Sequence, residues 1–152
     1  MTIIAWDGRS VAADTLCTFG GYRGPMRAQK IIRRGKFVYG LTGYSGWFDA
    51  WIKWHEDGAD PAAVPPSGVA SDESGNLLVF EGDKGFICSA KMPYLQEIGA
   101  PDAWGSAADF AIGAMHAGAD AKQAVEIAIA CCPSVAGPVD VVELVDIARF
   151  AA

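Results

Sequence analysis

Short β-prone runs separated by turn signals, interrupted twice by helical periodicity, constrain this 152-residue chain more than any other feature. Thr2 to Trp6 is β-branched and apolar, Asp7-Gly8 is a hairpin signal, and Ser10 to Asp14 reads as the returning strand. Thr15 to Pro25 reads as a Gly-rich loop. A second hairpin follows, Lys30 to Arg33 and Phe37 to Leu41, joined through Arg34-Gly35-Lys36. Ser45 to Glu56 then changes period: Trp47, Phe48, Trp51 and Trp54 recur at helical offsets, which predicts a helix with a buried aromatic stripe. Val69 to Asp72, Leu77 to Glu81 and Gly85 to Ser89 read as an antiparallel meander. Ser106-Ala107-Ala108-Asp109 has the form of a capping box ahead of a helix from about Ala107 to His116. A second helix, about Ala121 to Cys131, stops at Pro133, and Val139 to Ile147 reads as a last strand.

Two hairpins, a helix, a meander, two helices and a strand predict an α+β fold in which two antiparallel sheets pack face to face with helices outside. The length and a 51% apolar content suit a single domain spanning 1–152, and 20% charged residues argue against disorder. No run is long enough for a signal sequence or a bilayer span, and Cys17, Cys88, Cys131 and Cys132 make no C-x-x-C pair, so a cytoplasmic location and no membrane partner are expected. The net charge of −6 disfavours nucleic acid as a partner. Six of the twelve Lys and Arg nevertheless fall between Arg23 and Lys36, a run that reads first as a solvated strand edge or loop.

Several chemistries lack their residues. His55 and His116 stand in no metal-ligand spacing and no His-based triad, there is no Walker loop or Rossmann fingerprint, and Gly20-Gly21-Tyr22-Arg23-Gly24 lacks the strand-to-helix context that phosphate binding needs. No metal or other cofactor is expected. An amide can still be hydrolysed without histidine if the nucleophile carries its own base. An N-terminal threonine does so, because its α-amine titrates at about 7.7 to 8.0. Thr2 becomes that residue once Met1 is removed, which the small Thr side chain favours.

Thr2-Ile3-Ile4-Ala5, Ala12-Ala13-Asp14-Thr15, Arg27-Ala28-Gln29-Lys30-Ile31, Gly40-Leu41-Thr42-Gly43 and Gly105-Ser106, in this order and spacing, resemble the proteasome β subunit and HslV family. The short phage- or bacterium-encoded HslV-like peptidases are the nearest type. The resemblance runs from Thr2 to about Leu144 and implies the four-layer αββα sandwich of the N-terminal-nucleophile hydrolases, in agreement with the element order. It implies Thr2 as the nucleophile, Lys30 as the cation that keeps the amine a competent base, Asp14 as the partner of Lys30, Gly43 as the oxyanion donor and Ser106 as the hydrogen-bond partner of the threonine amine. It also implies a homo-oligomer that takes polypeptide substrate from an ATP-dependent unfoldase.

The pattern departs at one place. Where the family shows Asp-x-x-Ser/Thr-Gly-Gly, this chain has Cys132-Pro133-Ser134-Val135-Ala136-Gly137, so Cys132 replaces the acid and Val135 the hydroxyl. Two alternatives to a threonine-type endopeptidase therefore stand: a non-catalytic structural or binding component, and a small-molecule amidase of the same fold.

Overall fold

The structure is a computed structural model that describes residues 1–19, 21–43, 45–65 and 75–144. Its centre is a four-stranded antiparallel sheet in the order β10-β1-β2-β11, made of β1 (Ile3–Trp6), β2 (Ser10–Ala13), β10 (Asp102–Gly105) and β11 (Asp140–Glu143). Every residue of β1 and β2 is buried. The two-residue period of a strand explains how. Ile3, Ala5 and Ala12 point to one side, into a core shared with helices α2 (Ala108–His116) and α3 (Ala121–Cys131). Ile4, Trp6, Val11 and Ala13 point to the other side, where Val38, Leu78 and Phe80 of the second sheet meet them.

That second sheet is antiparallel in the order β5-β6-β7-β8-β9: β5 (Ile31–Arg34), β6 (Phe37–Thr42), β7 (Asn76–Glu81), β8 (Lys84–Ser89) and β9 (Gln96–Ile98). Its outer face carries Tyr39, Leu77 and Val79 against α1 (Phe48–Glu56), whose Trp51 and Trp54 are buried there with Trp47 and Phe48 packed alongside. The aromatic stripe thus packs as expected, and the layers run helix, sheet, sheet, helix. Small side chains set the helix-to-sheet spacing on the first side: Ala5 and Ala12 face Ala107, Ala111, Ala121, Ala124 and Ala128, all buried.

Two expectations need correction, and two strands were not foreseen. Thr15 to Pro25 is no loop: β3 (Leu16–Phe19) and β4 (Tyr22–Arg27) form a separate antiparallel ribbon that turns at Gly21. Pro25 falls in the irregular stretch of this ribbon, where Arg23 and Arg27 carry register partners and Pro25 does not, so among the described residues it displaces no ladder bond. The short strands β9 and β10 escaped the sequence reading because neither has an apolar run. Ser106 does not cap α2, whose N-cap is Ala107 without a side-chain bond. The capping box belongs instead to α3, where Asp120 and Gln123 bond reciprocally. The expected strand at Val69 to Asp72 and the end of the one at Val139 to Ile147 lie outside the described residues.

Arg23 to Lys36 is dispersed rather than a patch. Arg27 pairs with Asp140, Arg34 with Asp49 and Glu56, and Lys36 with Glu81, while Lys30 turns inward.

One titratable contact ties α1 to its sheet. Tyr39 Oη and His55 Nδ1 lie 2.8 Å apart. Burial pushes the phenol up to about 12, with Glu56 adding to the rise. Burial also pushes His55 below its ordinary value, against the upward pull of Glu56 and Glu81. The neutral imidazole is therefore the form the fold favours. Because the unfolded chain binds this proton more readily, stability is fully present above the unfolded value of about 6.5 and falls as pH drops below it. Urea unfolding at pH 7.5 and 5.0 should show a larger acid loss in the wild type than in His55→Gln; equal losses would remove His55 from the account.

Candidate active site

Thr2 immediately precedes β1 and is buried. Its seat is made by β10: Gly105 pairs with Ile3, and a Cβ at Gly105 would fall 1.9 Å from the Thr2 carbonyl oxygen. Gly105 also has φ +111°, so no other residue fits there without moving Thr2.

Asp14, at the end of β2, is fully buried and satisfied on both oxygens. Oδ1 accepts from Ile3 N at 3.1 Å and from Lys30 Nζ at 2.8 Å. Oδ2 accepts from the backbone N–H groups of Leu16 and Ala136, each at 3.3 Å. Lys30 stands just before β5, and its carbonyl accepts from Leu41 N at 3.1 Å. Its side chain is 9% exposed, and Nζ donates a second bond, 2.8 Å, to the Met1 carbonyl oxygen. Since the oxygen and nitrogen of one peptide unit are about 2.3 Å apart, Lys30 Nζ lies within about 5 Å of the Thr2 nitrogen. A buried ammonium, a buried carboxylate and the Thr2 amide thus form one cluster.

Met1 itself is exposed. Removing it would free the Thr2 amine and take away one acceptor of Lys30, leaving an N–H of the ammonium directed at the vacated space.

Gly43 follows β6, two residues beyond the Leu41 that holds the Lys30 carbonyl. It has φ +104°, and a Cβ on it would meet Gly75 Cα at 2.7 Å, so a side chain there is excluded by conformation and by space. Ser106 follows Gly105, and its hydroxyl lies 3.1 Å from Ser134 Oγ. Asp14 and Lys30 bond to each other and to the peptide groups on either side of Thr2, Ile3 N and Met1 O; Ser106 follows the glycine that pairs with Ile3, and Gly43 stands two residues beyond Leu41.

The segment after α3 contributes more than the sequence reading assigned to it. Thr15 N donates to Ala136 O at 3.2 Å, Thr15 Oγ1 donates to Pro138 O at 2.7 Å, and Ala136 N completes Asp14. Backbone groups do this work, so residue identity gave little signal. Val135 is buried against the α2 and α3 core, which explains an apolar residue there. Among the described residues no group of three or more His, Cys, Asp or Glu could hold a metal ion, and no helix is long and apolar enough to cross a membrane.

No protein-family model matches the chain, and no curated protein matches it in sequence. Solved structures do. Thiobacillus denitrificans BPH in complex with epoxomicin superposes with a TM-score of 0.70 at 24% identity, over 95% of this chain and 99% of that one. Another structure of Thiobacillus denitrificans BPH gives 0.65 at 24% identity over 95% and 98%. Eukaryotic HslV from Trypanosoma brucei gives 0.68 at 18% identity over 93% and 97%. The fold is the one these BPH and HslV structures share, matched over nearly the full chain.

Proposed function

We propose that the chain is a subunit of a threonine-type endopeptidase in which Thr2, freed by removal of Met1, cleaves peptide bonds. The observation that carries the reading is the bond from the buried Lys30 ammonium to the carbonyl just ahead of Thr2. Thr2 Oγ attacks the scissile carbonyl carbon while its own amine, directly or through a water, takes the hydroxyl proton. The oxyanion forms against the Gly43 N–H. The amine then passes its proton to the leaving nitrogen, the C–N bond breaks, and an ester to Thr2 remains. Water attacks the ester with the amine again taking a proton, which releases the acid product and restores Thr2.

Each neighbour has a part. The Lys30 ammonium disfavours a second positive charge on the amine and so keeps it basic at neutral pH. Asp14 holds Lys30 in place, and the Ser106 hydroxyl accepts an amine N–H. In this reading the working enzyme is a cytoplasmic homo-oligomer that needs no cofactor and receives unfolded polypeptide from an ATP-dependent partner.

The test compares two forms of the protein on fluorogenic peptides: one shown by intact mass to have lost Met1, and one carrying two extra residues ahead of Thr2. Only the first should cleave. Equal cleavage by both would overturn the mechanism, and no cleavage by a form with free Thr2 would favour a non-catalytic component.

A further inference from the structure

Cys132 and Val135 stand where the resembled pattern has an acid and a hydroxyl, yet a hydroxyl is present in the structure one residue away. Ser134 Oγ lies 3.1 Å from Ser106 Oγ and 3.0 Å from Cys132 Sγ. Cys132 ends α3, and the backbone turns so tightly after it that Val135 N reaches Cys132 O at 3.5 Å. The turn buries Val135 in the helical core and leaves Ser134 half-buried, facing the start of α2. The result is a continuous chain from sulfur to oxygen to oxygen, ending on the residue next to the glycine that seats Thr2.

We infer that Ser134 is a positioning residue that fixes the Ser106 hydroxyl for the Thr2 amine, with Cys132 as the far end of the chain. The inference rests on the proposed function and adds to it a residue that the resemblance does not supply. A serine hydroxyl on an exposed turn rotates among three staggered wells, of which one presents its lone pair to a given donor. Donating its proton to Ser134 Oγ holds the Ser106 oxygen in one of them. Ser134 donates in turn to the Cys132 sulfur, a weak acceptor. Hydrogen bonds in series polarise one another, so the chain strengthens as positive charge builds on the amine during attack. Its contribution therefore falls on turnover rather than on substrate binding.

The experiment uses the full chain with Met1 removed and the variants Ser134→Ala, Ser134→Thr and Cys132→Ser. Peptide hydrolysis gives kcat and KM, and trace acetylation of the Thr2 amine by acetic anhydride, followed by mass spectrometry across pH, gives the amine titration. Ser134→Ala should lower kcat about tenfold with KM within about twofold. It should also move the amine titration to lower pH, because an acceptor of the charged amine loses its support. Ser134→Thr should return both to within about threefold of wild type, and Cys132→Ser, which keeps an acceptor, should match wild type as closely. Unchanged kcat and unchanged amine titration in folded Ser134→Ala overturn the inference. If the wild type itself cleaves nothing, the proposed function fails, and the amine titration alone decides: a shift in Ser134→Ala supports the chain, and no shift overturns it.

Discussion

Replacing Lys30 by methionine is expected to lower peptide hydrolysis by roughly 10²- to 10⁴-fold, the range of a lost acid-base contribution, and to destabilise the protein. The two effects have one origin. Lys30 Nζ is buried between Asp14 Oδ1 and the carbonyl ahead of Thr2, each at 2.8 Å. Methionine keeps the length of the side chain and removes the charge, so Asp14 is left fully buried without its cation, with only backbone N–H groups as partners. Breaking a buried pair from one side costs about 3 kcal/mol or more. For a chain of this size that lowers the thermal midpoint by about 6 to 12 °C. The amine, no longer beside a cation, should titrate higher, so the acidic limb of the pH–rate profile should move to more alkaline pH. Lys36→Met is the control: it breaks the exposed pair with Glu81 and should shift the midpoint by less than about 2 °C. If Lys30→Met hydrolyses peptide like wild type, the ammonium has no part in the chemistry.

Thr2→Ala is expected to have the larger effect on rate, at least about 10³-fold and down to background, with little change in stability. Thr2 packs at the head of β1, where alanine fits the same space. Alanine is also small enough for Met1 removal, so the variant keeps the free amine and loses only the hydroxyl. Thr2→Ser keeps both groups and should retain activity within about tenfold of wild type. A Thr2→Ala protein that cleaves at the wild-type rate would place the nucleophile elsewhere.

Much of the layered fold is legible in the sequence, and the reasons are physical. β1 and β2 show a β-branched run, a turn signal and a return, and the structure pairs them as Ile4 with Ala13 and Trp6 with Val11. α1 announces itself through tryptophans at helical spacing, and α3, read as about Ala121 to Cys131 with Pro133 as its stop, is found at Ala121–Cys131. What escaped carries no side-chain pattern. β9 and β10 are three and four residues long, and β10 holds Gly105, which is there for its backbone. The β3 and β4 ribbon hid behind its glycines and Pro25.

At the site, the pairing of Asp14 with Lys30 is implied by the family resemblance and not by the two residues alone, and the structure brings them to 2.8 Å. Ser106 was read as a helix cap from its spacing to Asp109, yet its hydroxyl meets Ser134. Local spacing finds caps; it cannot find a partner 28 positions away. The hydrogen bonds from Ala136 and Leu16 to Asp14 come from main-chain N–H groups and leave no trace in residue type.

The central claim is that the Thr2 hydroxyl becomes the acyl carrier. It is tested most directly by mixing the Met1-free protein with a peptide substrate, quenching in acid within the first turnovers, and mapping the acyl group by peptide mass spectrometry. An ester on Thr2, absent from Thr2→Ala, is the expected result. Continued turnover with the acyl group on another residue, or with none detectable under conditions where deacylation is rate-limiting, would contradict it.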